Sequence, residues 1–357
     1  MSEQSGSGGT SPDGRSGSSS EPGEGGTTTA APPEGPLSGL TERMSGAISQ
    51  VAAAGALIVV FVALSIAAPS FLTADNLFNL ASQTSVNAVM AVGVTLVIIT
   101  GGIDLSVGSV SALSGVLGVL LMADYGFDPL VGILGGLLVG AVAGLVNGLL
   151  VSVVGLPPFI ATLGMLSVGR GLVLITTGAV AVFGAPESFR LLGQGVIGAV
   201  PIPLVLIVLV AVGGHLVLTR TRLGRYAYVM GSNSEAARLS GVPVRKHTTW
   251  VYVLSGMLAG LGGMIAASRI NSGQPNFGEG LELDVIAAVV IGGASLLGGR
   301  GTVLGSLIGA FLVAVIRNGA VQLNIGTFYQ NVLLGVIIWL AVWWDIYQRR
   351  KLAGESG

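Results

Sequence analysis

The sequence predicts an all-α fold, a polytopic bundle of about ten transmembrane helices. Two features of the composition support this prediction: 51% of the residues are hydrophobic, and only 9% are charged. A soluble globular chain has about 25% charged residues. The third observation is that the apolar residues form repeated runs of the length that a helix needs to cross a bilayer, about 20 residues. The chain is therefore expected to cross a membrane several times.

The rare residue types exclude several chemistries. The chain has no cysteine and two histidines, which excludes disulfides and cysteine nucleophiles and disfavours a metal site. Lys246 and Lys351 are its only lysines, and neither follows a glycine-rich phosphate loop, so the chain is not a P-loop ATPase by itself. It also has no HExxH motif and no serine nucleophile elbow, which argues against an intramembrane enzyme.

Residues 1–40 form the first predicted domain, a disordered cytoplasmic arm. The first 36 residues are mostly Gly, Ser, Thr, Pro and Glu, and such a segment buries too little surface to offset the entropy lost on ordering. An apolar run follows Arg43. A cleaved signal peptide is the alternative, since Ser65-Ile66-Ala67 resembles a cleavage site, but the length of the run and of its leader favours an anchor.

The second predicted domain, residues 41–348, is the transmembrane region with the loop 219–248, and residues 349–357 form a cytoplasmic tail. An even number of crossings places both termini on the same side, and the basic residues of the tail favour the cytoplasm. Several runs are short or interrupted by glycine, so eight spans with re-entrant pieces are an alternative. The ten runs are Ile48–Ala68, Asn76–Thr100, Ile103–Met122, Pro129–Val153, Pro158–Thr177, Pro201–Leu218, Thr249–Ala267, Asp284–Leu297, Val303–Ile316 and Phe328–Trp344.

The longest polar interruption, residues 219–248, sets the expected orientation. It has six basic residues and the single acid Glu235, and loops with such an excess stay in the cytoplasm. Ser232 and Glu235 have the spacing of a capping box, Gly241 suits a left-handed stop, and Pro243 cannot continue a helix, so we expect a short helix here. A helix of about two turns is unstable alone in water. The loop is either a solvated segment that only sets topology or a docking element for a cytoplasmic subunit.

Glycines recur at every fourth residue in two of the runs. In lipid, small residues at this spacing allow helix backbones to approach closely. A nucleotide-binding role is disfavoured, because no strand precedes these glycines and no lysine follows them. We therefore expect tightly packed, thin helices. The glycines are Gly132, Gly136, Gly140, Gly144 and Gly148 and, later, Gly301, Gly305 and Gly309.

Asp104 is the only acid inside the first half of the apolar region. A bare carboxylate at the middle of a bilayer costs roughly 3 kcal/mol or more. Either Asp104 caps the helix that follows, with help from Ser106 and Ser109, or it lines a path and binds a proton or cation. Arg170 and Arg317 could pair with such a carboxylate. The candidate residues of a translocation path are Asp104, Ser106, Asn147, Phe159 and Thr162.

Two further patterns leave alternatives open. Residues 97–105 and 289–296 resemble each other in hydropathy and in paired glycines, as repeated halves of transporters do, although chance can produce such a likeness in glycine-rich segments. Glu279, Glu282 and Asp284 form an acidic cluster at an expected outer mouth. The cluster is a solvated face, an N-cap by Asp284, or a dock for an external delivery protein.

Four stretches of the chain resemble a known family of permease subunits, those of ABC importers for monosaccharides of the ribose/xylose/galactose class. The resemblance runs from about Asn76 to Asp345. It implies a plasma-membrane location, a homodimer of permease chains with one pathway, a double ATPase subunit that binds the ATP, and an external sugar-binding protein. It implies no cofactor and no nucleic-acid partner for this chain. The stretches are VIITGGIDLSVGSVSAL (97–113), LPPFIATLGMLSVGRGL (156–172), GSNSEAARLSGV (231–242) and GLELDVIAAVVIGGASLLGGRGTVLGSLIGA (280–310).

The resemblance also makes residues 231–242 the element that couples the permease to the ATPase. Ala236 and Ala237 would suit a close fit in a groove of that partner, and Arg225 and Arg238 would meet acidic rims. The alternative function is an ion-coupled secondary transporter of a small polar solute, which would need buried ionisable groups in its path. The expected coupling residues are Arg225, Gly231, Asn233, Glu235, Ala236, Ala237, Arg238, Ser240 and Gly241.

Overall fold

The structure, a computed structural model, describes residues 36–352 and the side chains of residues 50–343, 346 and 347. The chain divides into two units, Met1–Thr41 and Glu42–Gly357. Residues 36–41 of the first unit begin helix α1 (Pro36–Ala67), so the expected end of the arm at residue 40 falls within this helix. The rest of the expected arm, residues 1–35, and the end of the expected tail, residues 353–357, lie outside the described residues.

The second unit is built almost entirely of helices. A two-residue hairpin, Val196–Ile197 with Val200–Pro201, was not expected. A π-helical turn, Leu150–Val154, extends the fourth helix. The helices that follow α1 are α2 (Ala74–Ile99), α3 (Val107–Ala123), α4 (Pro129–Leu149), α5 (Pro158–Thr177), α6 (Leu191–Gln194), α7 (Ile202–Arg220), α8 (Arg222–Ser232), α9 (Ser234–Leu239), α10 (Val244–Ile270), α11 (Leu281–Ile291), α12 (Val303–Gln322) and α13 (Thr327–Leu352).

Each expected crossing coincides with one helix, but the helices differ in length. Among the described residues, seven helices are long and apolar enough to cross a membrane: α1, α2, α4 with its π-helical turn, α5, α7, α10 and α12. The apolar parts of α3 and α13 are shorter, and α11 has only 11 residues. The predicted class, a polytopic helical membrane protein, is confirmed, whereas three of the ten expected crossings fall on shorter apolar helices.

Helix α2 lies at the centre of the bundle, and 94% of the residues of its apolar segment are buried. Thr73 caps its first turn by accepting a hydrogen bond from the Asn76 amide, and Asp75 in that turn is favoured by the helix dipole. Helices α10 and α12 pack beside it and are also mostly buried, whereas α1, α4, α5 and α7 are at most 28% buried. These four helices expose apolar side chains, and in a bilayer such surfaces face lipid.

The two ends of the bundle are distinguished by chain direction. The basic end contains residues 219–248, with α8, α9 and the start of α10. Helix α2 also ends here, as the contact between Gly231 of α8 and the Ile99 carbonyl shows. The far end contains the start of α2 and the end of α10.

Two non-helical segments interrupt the bundle, and both reach the basic end. The first break, Thr100–Ser106, separates α2 from α3, and the second break, residues 292–302, separates α11 from α12. Gly101 has φ +79°, a left-handed conformation that glycine adopts at little cost. The breaks come together at the end of α2, where the Gly299 amide of the second break donates over 2.9 Å to the carbonyl of Ile99, the residue before the first break. They contain most of the two stretches whose sequences resemble each other.

The glycine stripes lie where helices touch through their backbones. A Cβ on Gly140 would overlap the Gly256 carbonyl oxygen of α10, and one on Gly148 would lie 2.8 Å from the Cα of Thr249. On α12, a Cβ on Gly309 would overlap the Ala288 carbonyl oxygen of α11. Backbone contacts are also made by Gly132 with Gly118 of α3, by Gly144 with Tyr252 of α10, and by Gly305 with Gly292. Gly136 lies mainly against the Met264 side chain of α10, and Gly301, ahead of α12, lies against the side chains of Ala294 and Ile99.

Candidate functional site

The basic loop folds into two short helices, α8 and α9. Asn233 caps α9, since its Oδ1 accepts a hydrogen bond from the Ala236 amide over 2.9 Å. The predicted capping box is wrong, because Ser232 is the last residue of α8 and its Oγ donates to the Tyr228 carbonyl. Gly241 has φ +81°, so the predicted left-handed stop is confirmed.

Helix α9 presents most of its side chains to solvent. Glu235 and Arg238 are each 65% exposed and form an ion pair of 2.6 Å; hydrogen bonding from Arg238 lowers the pKa of the Glu235 carboxylate. Ala236 is exposed, but Ala237 is fully buried within its own chain. Ala237 is therefore not available for a close fit against a partner, whereas a fit of Ala236 stays a prediction. Leu239, which sequence reasoning missed, is 77% exposed on the same short helix.

Helix α8 connects α9 to the two breaks. A Cβ on Gly231 would overlap the Ile99 carbonyl oxygen and lie 2.5 Å from the Gly299 amide nitrogen. The Tyr228 hydroxyl donates to the Gly301 carbonyl over 2.8 Å, and burial raises the pKa of Tyr228, which keeps this donor protonated. Arg225 on α8 and Ser240 after α9 are exposed. A displacement of α8 would therefore act on both breaks.

Asp104 lies in the first break at the centre of a buried hydrogen-bond network. It is 1% exposed. Its Oδ1 accepts from the amide and the hydroxyl of Ser106, over 3.0 and 2.6 Å, and its Oδ2 accepts from the Ser255 hydroxyl over 2.9 Å. Asn147 donates to the Ser106 Oγ over 2.9 Å, while its own Oδ1 has no hydrogen-bond partner among the described residues. Three of the candidate path residues thus form one network, to which Ser255 is added.

The other candidate path residues lie around this network. The Thr162 hydroxyl lies 3.2 Å from the Ile103 carbonyl oxygen, but its shorter hydrogen bond, 2.9 Å, is to the Pro158 carbonyl of its own helix. Phe159 is 48% exposed in the first turn of α5. Neither of the arginines considered as partners of Asp104 bonds to it. The Arg317 guanidinium pairs with Asp284 over 2.7 Å, and Arg170 donates to the Phe277 carbonyl over 2.6 Å.

These contacts do not make Asp104 the cap of α3. The helix begins at Val107 rather than at Leu105, and its N-cap position, Ser106, has no side-chain cap hydrogen bond. The Asp104 carboxylate instead accepts from the Ser106 amide, one residue before the helix. Ser109 contributes indirectly, because its hydroxyl donates to the Ser106 carbonyl. Every hydrogen bond of the Asp104 carboxylate is therefore used inside the protein.

We expect Asp104→Ala to destabilise the protein by roughly 3 kcal/mol. It would leave the Ser106 and Ser255 donors unpaired in a buried site, and each such group costs about 1–3 kcal/mol. Thermal unfolding of the purified chain in detergent measures the effect. Asp124→Ala, at the exposed end of α3, is the matched control and should change little. An unchanged unfolding midpoint for Asp104→Ala would contradict a stabilising role for this network.

A cavity of about 290 Å³ lies between the first break and the helices of the basic loop. Its wall includes Gly102 of the first break, Ser152 of the π-helical turn, and Ser234 and Arg245 from either end of the α9 region. Tyr252 also lines it, and its hydroxyl donates to the Ile103 carbonyl over 3.4 Å. The cavity thus adjoins both the first break and the exposed helix α9.

Comparison with known proteins gives consistent matches over most of the chain. Residues 76–342 match the family described as branched-chain amino acid transport system / permease component. The ribose import permease protein RbsC of Escherichia coli K12 is 44% identical, over 80% of this chain and 90% of that protein. The probable ABC transporter permease protein y4mJ of Sinorhizobium fredii is 36% identical, over 85% and 91%. The xylose transport system permease protein XylH of Escherichia coli K12 is 32% identical, over 90% and 97%. No solved structure matches the chain.

Proposed function

The chain belongs to the family of branched-chain amino acid transport system permease components, and from this membership we propose that it is the membrane-spanning permease of an ABC importer of monosaccharides. That the substrate is a sugar is inferred from the relatives, which include a ribose and a xylose permease at 44% and 32% identity. The chain is a multi-pass plasma-membrane protein and not an enzyme. An ion-coupled secondary transporter is not favoured, because these relatives are permease components of import systems.

The partners follow from the same relatives. A separate ATPase subunit hydrolyses ATP, and a sugar-binding protein delivers the sugar from the outer side. We further propose that two copies of the chain pair around one pathway and that the ATPase is a double-domain subunit. Chemical crosslinking of the assembled complex, followed by mass measurement, tests this stoichiometry: a complex with one permease chain would contradict it.

The orientation that we propose has the basic end in the cytoplasm. Six basic residues against one acid in residues 219–248 favour that side. Ten passages are compatible with this orientation, because each break extends a short helix: Thr100–Ser106 adjoins α3, and residues 292–302 adjoin α11. With an even number of passages, both termini lie in the cytoplasm.

The single observation that best supports coupling at residues 231–242 is the exposure of α9 together with the close contact of α8. An isolated helix of six residues is not stable in water, and here it is stabilised by its cap and by the burial of Ala237. Its outer side, with Ala236, Arg238 and Leu239, is free to enter a groove of the ATPase. A movement of α9 would displace α8, and Gly231 of α8 would then push on the residues at both breaks.

We expect Leu239→Asp to lower both co-purification of the ATPase and sugar uptake at least about tenfold. Burying a leucine side chain contributes about 1.5–3 kcal/mol, and a carboxylate there would lose that contribution. The measurements are pull-down of the ATPase subunit and uptake of labelled D-ribose and D-xylose in cells. Leu72→Asp is the matched control, an exposed leucine between α1 and α2 at the far end. Normal ATPase co-purification with Leu239→Asp would contradict docking through α9.

A further inference from the structure

A second polar cavity lies inside the bundle, away from the basic loop and from the Asp104 network. Its volume is about 200 Å³, it is open on one side, and it is lined by residues of α2, α10, α11, α12 and the connection between α10 and α11. Drug-sized ligands occupy about 300–1,000 Å³, so this space suits one small molecule. Its polar wall includes Gln83, Asn87, Arg269, Asp284 and Arg317.

The cavity lies between the middle and the far end of the bundle. Asn87 follows the first residue of α2, Ala74, by 13 positions, which is about 20 Å along a helix. Arg317 lies five residues before the end of α12, Gln322, and the next residue, Asn318, bonds to Asn76 in the first turn of α2. In many transporters, substrate sites are built by discontinuous helices, and the short helix α11 ends at the second break.

One side chain of this wall has no hydrogen-bond partner among the described residues. Asn87 is 6% exposed, and its side-chain amide forms no hydrogen bond with any residue that the structure describes. Arg317 pairs with Asp284 through Nη2, whereas its Nε is buried away from the cavity. The Asn87 amide lines the cavity, so it is available to a polar ligand.

The charges of the wall favour a ligand without net charge. Arg269 and Arg317 would repel a cation, while Asp284 and the neighbouring Glu279 would repel an anion. Together these side chains offer both donors and acceptors, as neutral hydroxyl groups require. The wall thus matches a ligand with several hydroxyl groups.

An aromatic ring completes the cavity. Phe277 lines it, and the Arg170 guanidinium fixes the adjacent backbone by donating to the Phe277 carbonyl over 2.6 Å. Small-molecule sites combine apolar surface with a few placed polar groups. A sugar has both kinds of surface, with C–H groups on its ring faces and hydroxyl groups at its edges.

We propose that this cavity binds one monosaccharide within the permease, with Asn87 and Arg317 donating hydrogen bonds to the sugar hydroxyls and Asp284 accepting from them. The identification of the ligand as a sugar rests on the proposed function. The site is distinct from the coupling region and from the Asp104 network, and it would hold the sugar between its delivery and its release.

The cysteine-free sequence permits a direct test. Asn87→Cys introduces the only thiol of the permease, and its reaction with a small water-soluble thiol reagent can be followed in the assembled complex in proteoliposomes. We expect D-ribose, D-xylose or D-galactose to slow the labelling at least about fivefold, and L-leucine to leave it unchanged. Thr84→Cys, fully buried on the same helix with no part in the cavity, should stay unlabelled. Labelling of Asn87→Cys that none of these sugars slows would overturn the proposal.

Transport kinetics provide the second measurement. Asn87→Leu should raise the KM for sugar uptake roughly five- to tenfold, the effect of one lost hydrogen bond, with normal ATPase co-purification. Thr84→Val should leave the KM unchanged, because that hydroxyl bonds only to its own helix, at the Leu80 carbonyl. If the unsubstituted complex transports sugar and Asn87→Leu keeps its KM, the cavity proposal fails. If the unsubstituted complex transports no sugar, the proposed function fails. Should Asn87→Leu not assemble, the labelling result decides.

Discussion

Gly140→Leu is expected to prevent assembly of the folded permease. A Cβ at this position already overlaps the Gly256 carbonyl oxygen of α10, and the Cα of Gly260 lies 3.0 Å away. These are backbone atoms of a long buried helix, so neither can move aside as a flexible side chain would. Overpacking of a well-packed site costs about 1–3 kcal/mol for added methylenes, and a leucine here would separate two whole helices. Size-exclusion chromatography of the detergent-solubilised protein should show loss of the monodisperse peak.

The matched control is Gly164→Leu on α5. Gly164 also lies within a helix, is exposed, and has no atom within 4 Å of a Cβ. We expect this variant to elute as the unsubstituted protein does. If Gly140→Leu also gave a normal peak and normal uptake, the close approach of α4 and α10 would be refuted.

The second large effect is expected from Gly231→Ala. One methyl group would overlap the Ile99 carbonyl oxygen and lie 2.5 Å from the Gly299 amide nitrogen, so α8 would have to move away from both breaks. We expect sugar uptake to fall at least about tenfold, as when a misplacement of about 1 Å disturbs a positioned site. The ATPase should still co-purify, because the outer side of α9 is unchanged.

Two measurements on the same preparation separate coupling from folding. Uptake and ATPase co-purification are compared for Gly231→Ala and for Gly213→Ala, a helical glycine of α7 with nothing within 4 Å of its Cβ. Gly213→Ala should retain both properties. Normal uptake by Gly231→Ala would show that the contact of α8 with the breaks is not needed for transport.

Local patterns in the sequence predicted the helices well, because the length of an apolar run and the residues that end a helix are properties of a short stretch of chain. Apolar runs marked the helices, and Gly241 marked the end of α9, since its left-handed backbone requires glycine. The capping box failed because the next residue, Asn233, caps α9 through the Ala236 amide, while the Ser232 hydroxyl bonds within α8. The choice between two adjacent polar residues was not decided by spacing alone.

Contacts between distant parts of the chain were beyond such patterns. Asp104 meets Ser255 across 151 positions, and Asp284 meets Arg317 across 33. Their pairing depends on how α10, α11 and α12 pack, which one sequence does not reveal. Asn87 was overlooked for the same reason, because an asparagine in an apolar helix gives no sign of the cavity that it lines.

The interlocked backbones of α4 and α10 limit how this protein can change shape. Shear motions slide packed helices past one another, but sliding of α10 along α4 would drive the Gly256 carbonyl from the space opposite Gly140 against larger residues. These two helices are therefore expected to travel as one rigid block during any cycle. A change of shape would then have to occur by bending at the two breaks, Thr100–Ser106 and residues 292–302. The helices on either side of the breaks would rotate as rigid units.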